Sequence, residues 1–257
     1  MALHRQRTGE DRDEHVLRDA ATADDGPAPR MTGRNRTTPP VFSEARLPAL
    51  CDELAERDSD LRRIIDAFGY PPFWDRPNTF ESLVWFILEQ QVSLASARAA
   101  LEQLRRRVGA VTPESVLSLT DEDLRAASFS RQKAGYVRGV ARSTASGELD
   151  LEALAGLPDD QVRSALTRLK GIGNWTVDVY LILVLHRVDV FPTGDLAAVN
   201  ALKSIKGLST STGRTDLETV VREWVPYRTI GTLLVWHHYL SQRDAQRRRP
   251  RGKGPPA

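Results

Sequence analysis

From residue 43 to residue 241, apolar side chains recur every three or four positions, and no strand-like series competes with that period. Leu61, Ile64, Ile65 and Phe68 form one such stripe, and Leu83, Phe86 and Ile87 another. Further stripes run through SLASARAALEQLRRRV, RQKAGYVRGVA, DDQVRSALTRL, NWTVDVYLILVL, GDLAAVNALKSI and RTIGTLLVWHHYL, separated by short breaks at Gly or Pro. A chain with this spacing buries its apolar surface by packing helix on helix. The pattern predicts a compact all-α fold of roughly ten helices, in two lobes with a cleft between them.

At 257 residues and 40% hydrophobic content, the chain can close a sizeable core. No run approaches the roughly 20 apolar residues that a bilayer requires, and the N-terminus lacks a signal-peptide profile. The expected location is therefore cytoplasmic, on nucleoid DNA if the chain is bacterial, with no membrane partner. Cys51 is the only cysteine, which excludes an intramolecular disulfide and a four-cysteine iron–sulfur cluster.

Residues 1–42, with GPAPR and TTPP, and residues 243–257, ending RRRPRGKGPPA, read as disordered tails around a folded body at 43–242. The formal charge of +2 is unevenly placed. The first tail balances seven basic against seven acidic residues, and the second holds six against one. The body between carries twenty-three basic and twenty-six acidic side chains, a net charge of −3. A nucleic-acid footprint on the body would thus be a local face, and the basic tail reads first as a solvated one.

The most informative segment is LKGIGNWTVDVYLILVL, Leu169 to Leu185, where Gly171 and Gly173 interrupt two helical patterns around Ile172. Glycines allow a tight turn and a close backbone approach, and the free N–H groups of the following helix point at an anion. Such a hairpin can grip a DNA phosphate without reading sequence. Taken alone, Gly-x-Gly also describes an ordinary connection between two helices. Further on, FPTGDLAAVNAL sets Asp195 at the start of another helix. There a carboxylate is either a helix-start acid worth about 0.3–1 kcal/mol or an anion placed to stabilise positive charge developing on a sugar.

Together these segments resemble the helix-hairpin-helix DNA glycosylase superfamily. FESLVWFILEQQVSLASARAALEQL (Phe80 to Leu104) resembles the family's helices ahead of the hairpin, and SFSRQKAGYVRGVARSTASGELDLEAL the region leading to it. WVPYRTIGTLLVW (Trp224 to Trp236) resembles the closing helix of the alkylated-base, 3-methyladenine glycosylase II branch. The resemblance spans about residues 43 to 241 and implies a helical fold with the active site in a cleft between two lobes. It also implies base excision repair of duplex DNA containing damaged bases, by a monomer that needs no redox or organic cofactor. A monovalent cation between hairpin carbonyls and a phosphate belongs to the same set of implications.

By this resemblance Asp195 takes the catalytic position, Trp175 and Trp236 the base pocket, Gly171, Ile172 and Gly173 the DNA-binding hairpin, and Gln90 and Gln91 the loop that fills the gap left by a flipped nucleotide. Bifunctional branches carry a lysine where this chain has Trp175, and an indole offers no amine nucleophile. Lys170 lies at a different position. Monofunctional hydrolysis of an alkylated purine, such as 3-methyladenine, to leave an abasic site is the resulting expectation. The chain departs from the better-known bacterial enzyme at Gln91, where that enzyme has an apolar wedge, and at Val179, where it has an aromatic. Tyr227 and Arg228 read as organisers of the closing helix, and the adjacent His237 and His238 lack metal-ligand spacing. Two alternatives stay open: a DNA-damage-binding protein without turnover, and a glycosylase for deaminated or oxidised bases.

Overall fold

The computed structural model describes residues 39–248; most of both tails, with the expectation of their disorder, lies outside the described residues. After a 3-10 turn at Glu44–Arg46, the chain runs through α1 (Leu47–Arg57), α2 (Ser59–Phe68), α3 (Phe80–Glu89), α4 (Leu94–Val108), α5 (Pro113–Leu117), α6 (Asp121–Ala126) and α7 (Arg131–Ala145). It continues with α8 (Leu151–Ala155), α9 (Asp159–Thr167), α10 (Asn174–Leu183), α11 (Leu196–Ile205), α12 (Arg214–Arg222) and α13 (Arg228–Arg248). The described residues contain no strand, only an isolated bridge between Val41 and Arg187. No described helix is long and apolar enough to cross a membrane.

The count exceeds ten because α5, α6 and α8, of five or six residues, are too short to display a period. Capping boxes at Thr112 and Thr120 start α5 and α6. Side-chain caps from Asp58, Ser93, Ser130, Asp150 and Asp195 start α2, α4, α7, α8 and α11. The folded body also reaches beyond residues 43–242 at both edges. Phe42 is buried edge-on against Phe73 and His186, and its N–H donates to the His186 carbonyl at 2.9 Å. At the other end α13 continues to Arg248, since residues 243–248 include no Gly or Pro to stop it.

The helices pack in two sets. In one, α3 lies against α4, α7 and α10, with α5 and α6 on α7 and α9 on α10; in the other, α1, α2, α11 and α12 gather on α13. Ser82 through Leu88 are all buried, so α3 is covered on every side, as a helix apolar all round must be. In the second set Asp58 joins three elements. It caps α2, accepts Lys206 Nζ from the end of α11 at 2.7 Å, and accepts the Trp224 indole N–H at 2.7 Å. Burial pushes the Asp58 carboxyl up, but Lys206, Trp224 and the Asp60 amide together hold it below the usual range. This cluster ties the start of α2 to the end of α11 and to the segment between α12 and α13, beside the helices that carry the site below.

Gly231 of α13 allows the closest of these approaches. A Cβ added there would lie 2.3 Å from the Trp224 ring, which is 1% exposed. Gly231→Ala should therefore destabilise by about 1–3 kcal/mol through overpacking, despite the helix propensity it gains. Gly139→Ala, on α7 where a Cβ meets nothing within 4 Å, should stabilise by up to about 1 kcal/mol. Thermal unfolding followed by circular dichroism checks both signs; a higher melting temperature for Gly231→Ala would show that Trp224 yields easily.

Candidate active site

The hairpin is the turn from Arg168 to Gly173 between α9 and α10. Gly171 has φ +95°, and its missing Cβ would stand 2.2 Å from the Tyr136 ring of α7. Only glycine satisfies both constraints. Ile172 is buried and plugs the turn into the core. Gly173 is extended (φ −102°, ψ 179°), exposed, and faces open space where a Cβ would project. It starts α10 without a side-chain cap, so the first N–H groups of α10 have no capping side chain. Arg163 of α9 braces the hairpin through the Asn174 side chain at 3.0 Å and the buried Asp178 carboxylate. Lys170 is exposed on the turn.

Asp195 follows the Thr193–Gly194 turn and caps α11. Its Oδ1 accepts the Ala198 N–H at 2.8 Å and the Trp236 indole N–H at 3.3 Å, while Oδ2 accepts the Trp175 indole N–H at 2.9 Å. The cap and the poised carboxylate are thus one arrangement. The α11 backbone fixes one oxygen, and indoles from α10 and α13 orient the group from two further directions. Both tryptophans are half-buried, each anchored by its N–H, and Trp74 meets Trp236 edge-on at 6.3 Å between centroids. Val179 is buried within α10. Arg228 grips the Asp189 carboxylate with Nε at 2.8 Å and Nη2 at 2.9 Å, which fixes the start of α13, and Tyr227 packs beside Arg57.

The two glutamines after α3 part company. Gln90 turns inward: its amide donates to the Gly171 carbonyl at 2.8 Å and to Thr176 Oγ1 at 3.3 Å, tying the loop to the hairpin. Gln91 turns outward, exposed at φ +59°, beside the exposed Val92. Of the pair, Gln91 is free to project. Lys133 of α7 holds the end of α3 by donating to the Leu88 and Gln90 carbonyls at 2.7 and 2.8 Å.

Sequence reasoning overlooked Trp74, Arg76, Trp85 and Glu89. The Arg76 guanidinium lies over the Trp85 ring, 4.2 Å from its centroid, and the Arg76 N–H donates to the Leu183 carbonyl at the end of α10 at 2.9 Å. Burial pushes the Glu89 carboxyl up to about 7; Arg76 and the Trp85 indole draw it down, and the Asp195 charge adds to the rise. The aromatic cluster in PPFWDRP was a signal for Trp74, whereas Glu89 reads in sequence only as a polar helix end. Among the described residues no group of His, Cys, Asp or Glu could hold a metal ion. A monovalent cation at the hairpin would rest on backbone carbonyls, of which the Gly171 carbonyl already accepts Gln90.

The profile described as "HhH-GPD superfamily base excision DNA repair protein" matches residues 84–227. A DNA-3-methyladenine glycosylase of Bacillus subtilis is 27% identical over 172 residues, 62% of this chain and 57% of that protein, so the chain spans little more than half of that relative's length. The crystal structure of a DNA-3-methyladenine glycosidase from Bacillus halodurans superimposes with a TM-score of 0.64 at 31% identity, covering 79% of this chain and 92% of that one. A 3-methyladenine DNA glycosylase of Schizosaccharomyces pombe in complex with abasic DNA gives 0.68 at 26% identity, over 73% and 95%.

Proposed function

Because this chain belongs to the HhH-GPD superfamily of base excision DNA repair proteins, we propose that it is a monofunctional DNA glycosylase that flips an alkylated purine out of duplex DNA and hydrolyses its N-glycosidic bond. One observation carries the reading: the Asp195 carboxylate is held by a backbone amide and two indole N–H groups from separate helices.

The chemistry follows from where charge develops. A base inside the stack hides its glycosidic carbon, so the nucleotide must first leave the helix. The faces of Trp175 and Trp236 attract an electron-poor, cationic purine by stacking and cation–π forces, worth up to about 2 kcal/mol when desolvated. As the C1′–N bond breaks, the sugar acquires oxocarbenium character, which the fixed Asp195 carboxylate stabilises without reorganising. Water adds at C1′ and gives its proton to Asp195. The cationic purine takes the bond's electron pair and leaves neutral, so this substrate needs no strong acid. The uncapped start of α10 grips a phosphate through its N–H groups, and Gln91 enters the gap in the stack. A monovalent cation between hairpin carbonyls and that phosphate would neutralise charge there. Asp195, both indoles and the hairpin all come from one chain, so a monomer suffices.

The test is to incubate the protein with methylated duplex DNA and measure free 3-methyladenine. Release is expected, with the product strand intact until alkali or heat cleaves the abasic site. Borohydride should trap no covalent complex, because Trp175 carries no nucleophilic amine. Failure to release 3-methyladenine overturns the reading. A trapped adduct formed in step with strand nicking would move the chain to the bifunctional branches, with Lys170 the first amine to replace.

A further inference from the structure

Residues 71–77, PPFWDRP, connect α2 to α3 and have no part in the mechanism above, yet they bring one side chain to the base pocket. The Trp74 ring meets the Trp236 ring at 6.3 Å between centroids and 77° between planes. Its neighbours are tied elsewhere. Phe73 lies tilted on His186 at 4.9 Å, with Phe42 edge-on to both rings. The Asp75 carboxylate lies 3.1 Å from His186 Nε2. The Arg76 N–H donates to the Leu183 carbonyl at 2.9 Å, and the Arg76 guanidinium covers the Trp85 ring. Just beyond, Asn78 donates to the Leu151 carbonyl and accepts the Tyr180 hydroxyl, both at 2.6 Å. Pro71, Pro72 and Pro77 fix φ within the same stretch. A ring mounted this way cannot swing aside without breaking several contacts at once. Trp74 is only half-buried, so part of this fixed surface stays open.

We propose that Trp74 is a specificity-determining wall of the base pocket, which gauges the length of the alkyl group on the bound purine. The inference rests on the glycosylase reading and deepens it. A purine stacked on Trp236 lies parallel to that ring. At 77° between the two indoles it cannot stack on Trp74 as well, and it meets Trp74 with its edge. An N-alkyl group starts in the plane of the purine and projects from that edge, so the room left for it ends at the Trp74 ring. A methyl group fits such a space, whereas each further methylene must displace either the base from Trp236 or the ring from its mounting. Close-packed walls resist that displacement. Trp74 therefore differs in kind from Trp175 and Trp236. Those two bond to Asp195 and offer faces to the base, while Trp74 sets how far the base and its substituent reach.

The experiment mixes methylated and n-propylated duplex DNA in equal amounts and separates the released N3- and N7-alkyl purines by chromatography. Wild-type protein should release methyl purines about tenfold faster than propyl purines, the discrimination that a wall placed against added methylenes provides. In Trp74→Ala the propyl-to-methyl ratio should rise about tenfold, at the ring position whose edge faces the wall. Because both substrates compete in one tube, the ratio does not depend on how much of the variant is folded. If the alanine variant does not fold at all, Trp74→Phe decides in its place, with an expected rise of about threefold from its shorter ring. Equal release of methyl and propyl purines by the wild type overturns the proposal before any variant is made. An unchanged ratio in the deciding variant overturns it too, as does a folded alanine variant that releases neither base; in each case wild-type release of methyl purines leaves the alkylated-base reading standing. A wild type that releases no alkyl purine removes both.

Discussion

Asp195→Asn is expected to cut release of 3-methyladenine by about a hundred- to a thousandfold, the usual cost of removing one pre-positioned electrostatic group, while the protein stays folded and binds DNA. The geometry explains why this substitution separates catalyst from cap. Asparagine caps helices as well as aspartate does, so the Ala198 N–H keeps its acceptor. Only one side-chain oxygen remains, however, and it can serve Ala198 and Trp236 on the Oδ1 side. The amide nitrogen then faces the Trp175 N–H, donor against donor. Trp175 is half-buried and can turn that N–H to water, so the stability loss should stay near 1 kcal/mol. Asp195→Ala should lose activity to the same degree and also lose the cap, at about 1 kcal/mol more. Free base measured by chromatography, beside a thermal melt, reads both effects. A wild-type release rate in Asp195→Asn would sink the mechanism, and a collapse of stability in the same variant would make Asp195 chiefly a structural cap.

The second large effect is expected at the hairpin, where two glycines that look alike in sequence should behave differently. Gly171→Val forces a β-branched residue to φ +95° and drives its Cβ into the Tyr136 ring at 2.2 Å. Left-handed strain and overpacking together should cost about 2–5 kcal/mol, so this variant tests the fold. Gly173→Val adopts an extended backbone that valine tolerates, with nothing within 4 Å of the new Cβ. Its stability cost should stay near 1 kcal/mol, the difference between glycine and valine as helix caps. The isopropyl group would instead fill the space a phosphate needs to reach the α10 N–H groups. Affinity for undamaged duplex should fall about tenfold or more, equally for all sequences, because phosphate contacts carry no base information. Titrations at a single salt concentration keep the attraction of the basic tail constant across variants. Unchanged affinity in folded Gly173→Val would leave the hairpin as a mere connection between helices.

Much of the architecture was legible in the sequence because its causes are local. The three-and-four spacing of Leu61, Ile64, Ile65 and Phe68 lies within one helix, and so does the reach from the Asp195 side chain to the Ala198 amide. Short-range chemistry likewise marked the hairpin glycines and the absence of an amine at Trp175. The sequence could not rank Gly171 against Gly173, since the difference is the Tyr136 ring, brought in from α7. It could not say that Gln90 faces inward and Gln91 outward, because the Gly171 carbonyl that claims Gln90 is 81 positions away. Residues 39–42 carry no period of their own and are ordered by a distant slot between Phe73 and His186.

The amino-acid order by itself therefore determined the helices, their caps, the turn chemistry and the kinds of side chain available to a site, all set by interactions within a turn or two of chain. The tertiary structure alone decided how those side chains meet. Trp175 and Trp236 reach Asp195 from 20 and 41 residues away, and Glu89 shares its corner with Arg76 and Asp195 only after α3, α10 and α11 have packed. Burial, and with it the ionisation of Glu89, is a property of that packing, because desolvation depends on every helix that excludes water and on no single stretch of sequence.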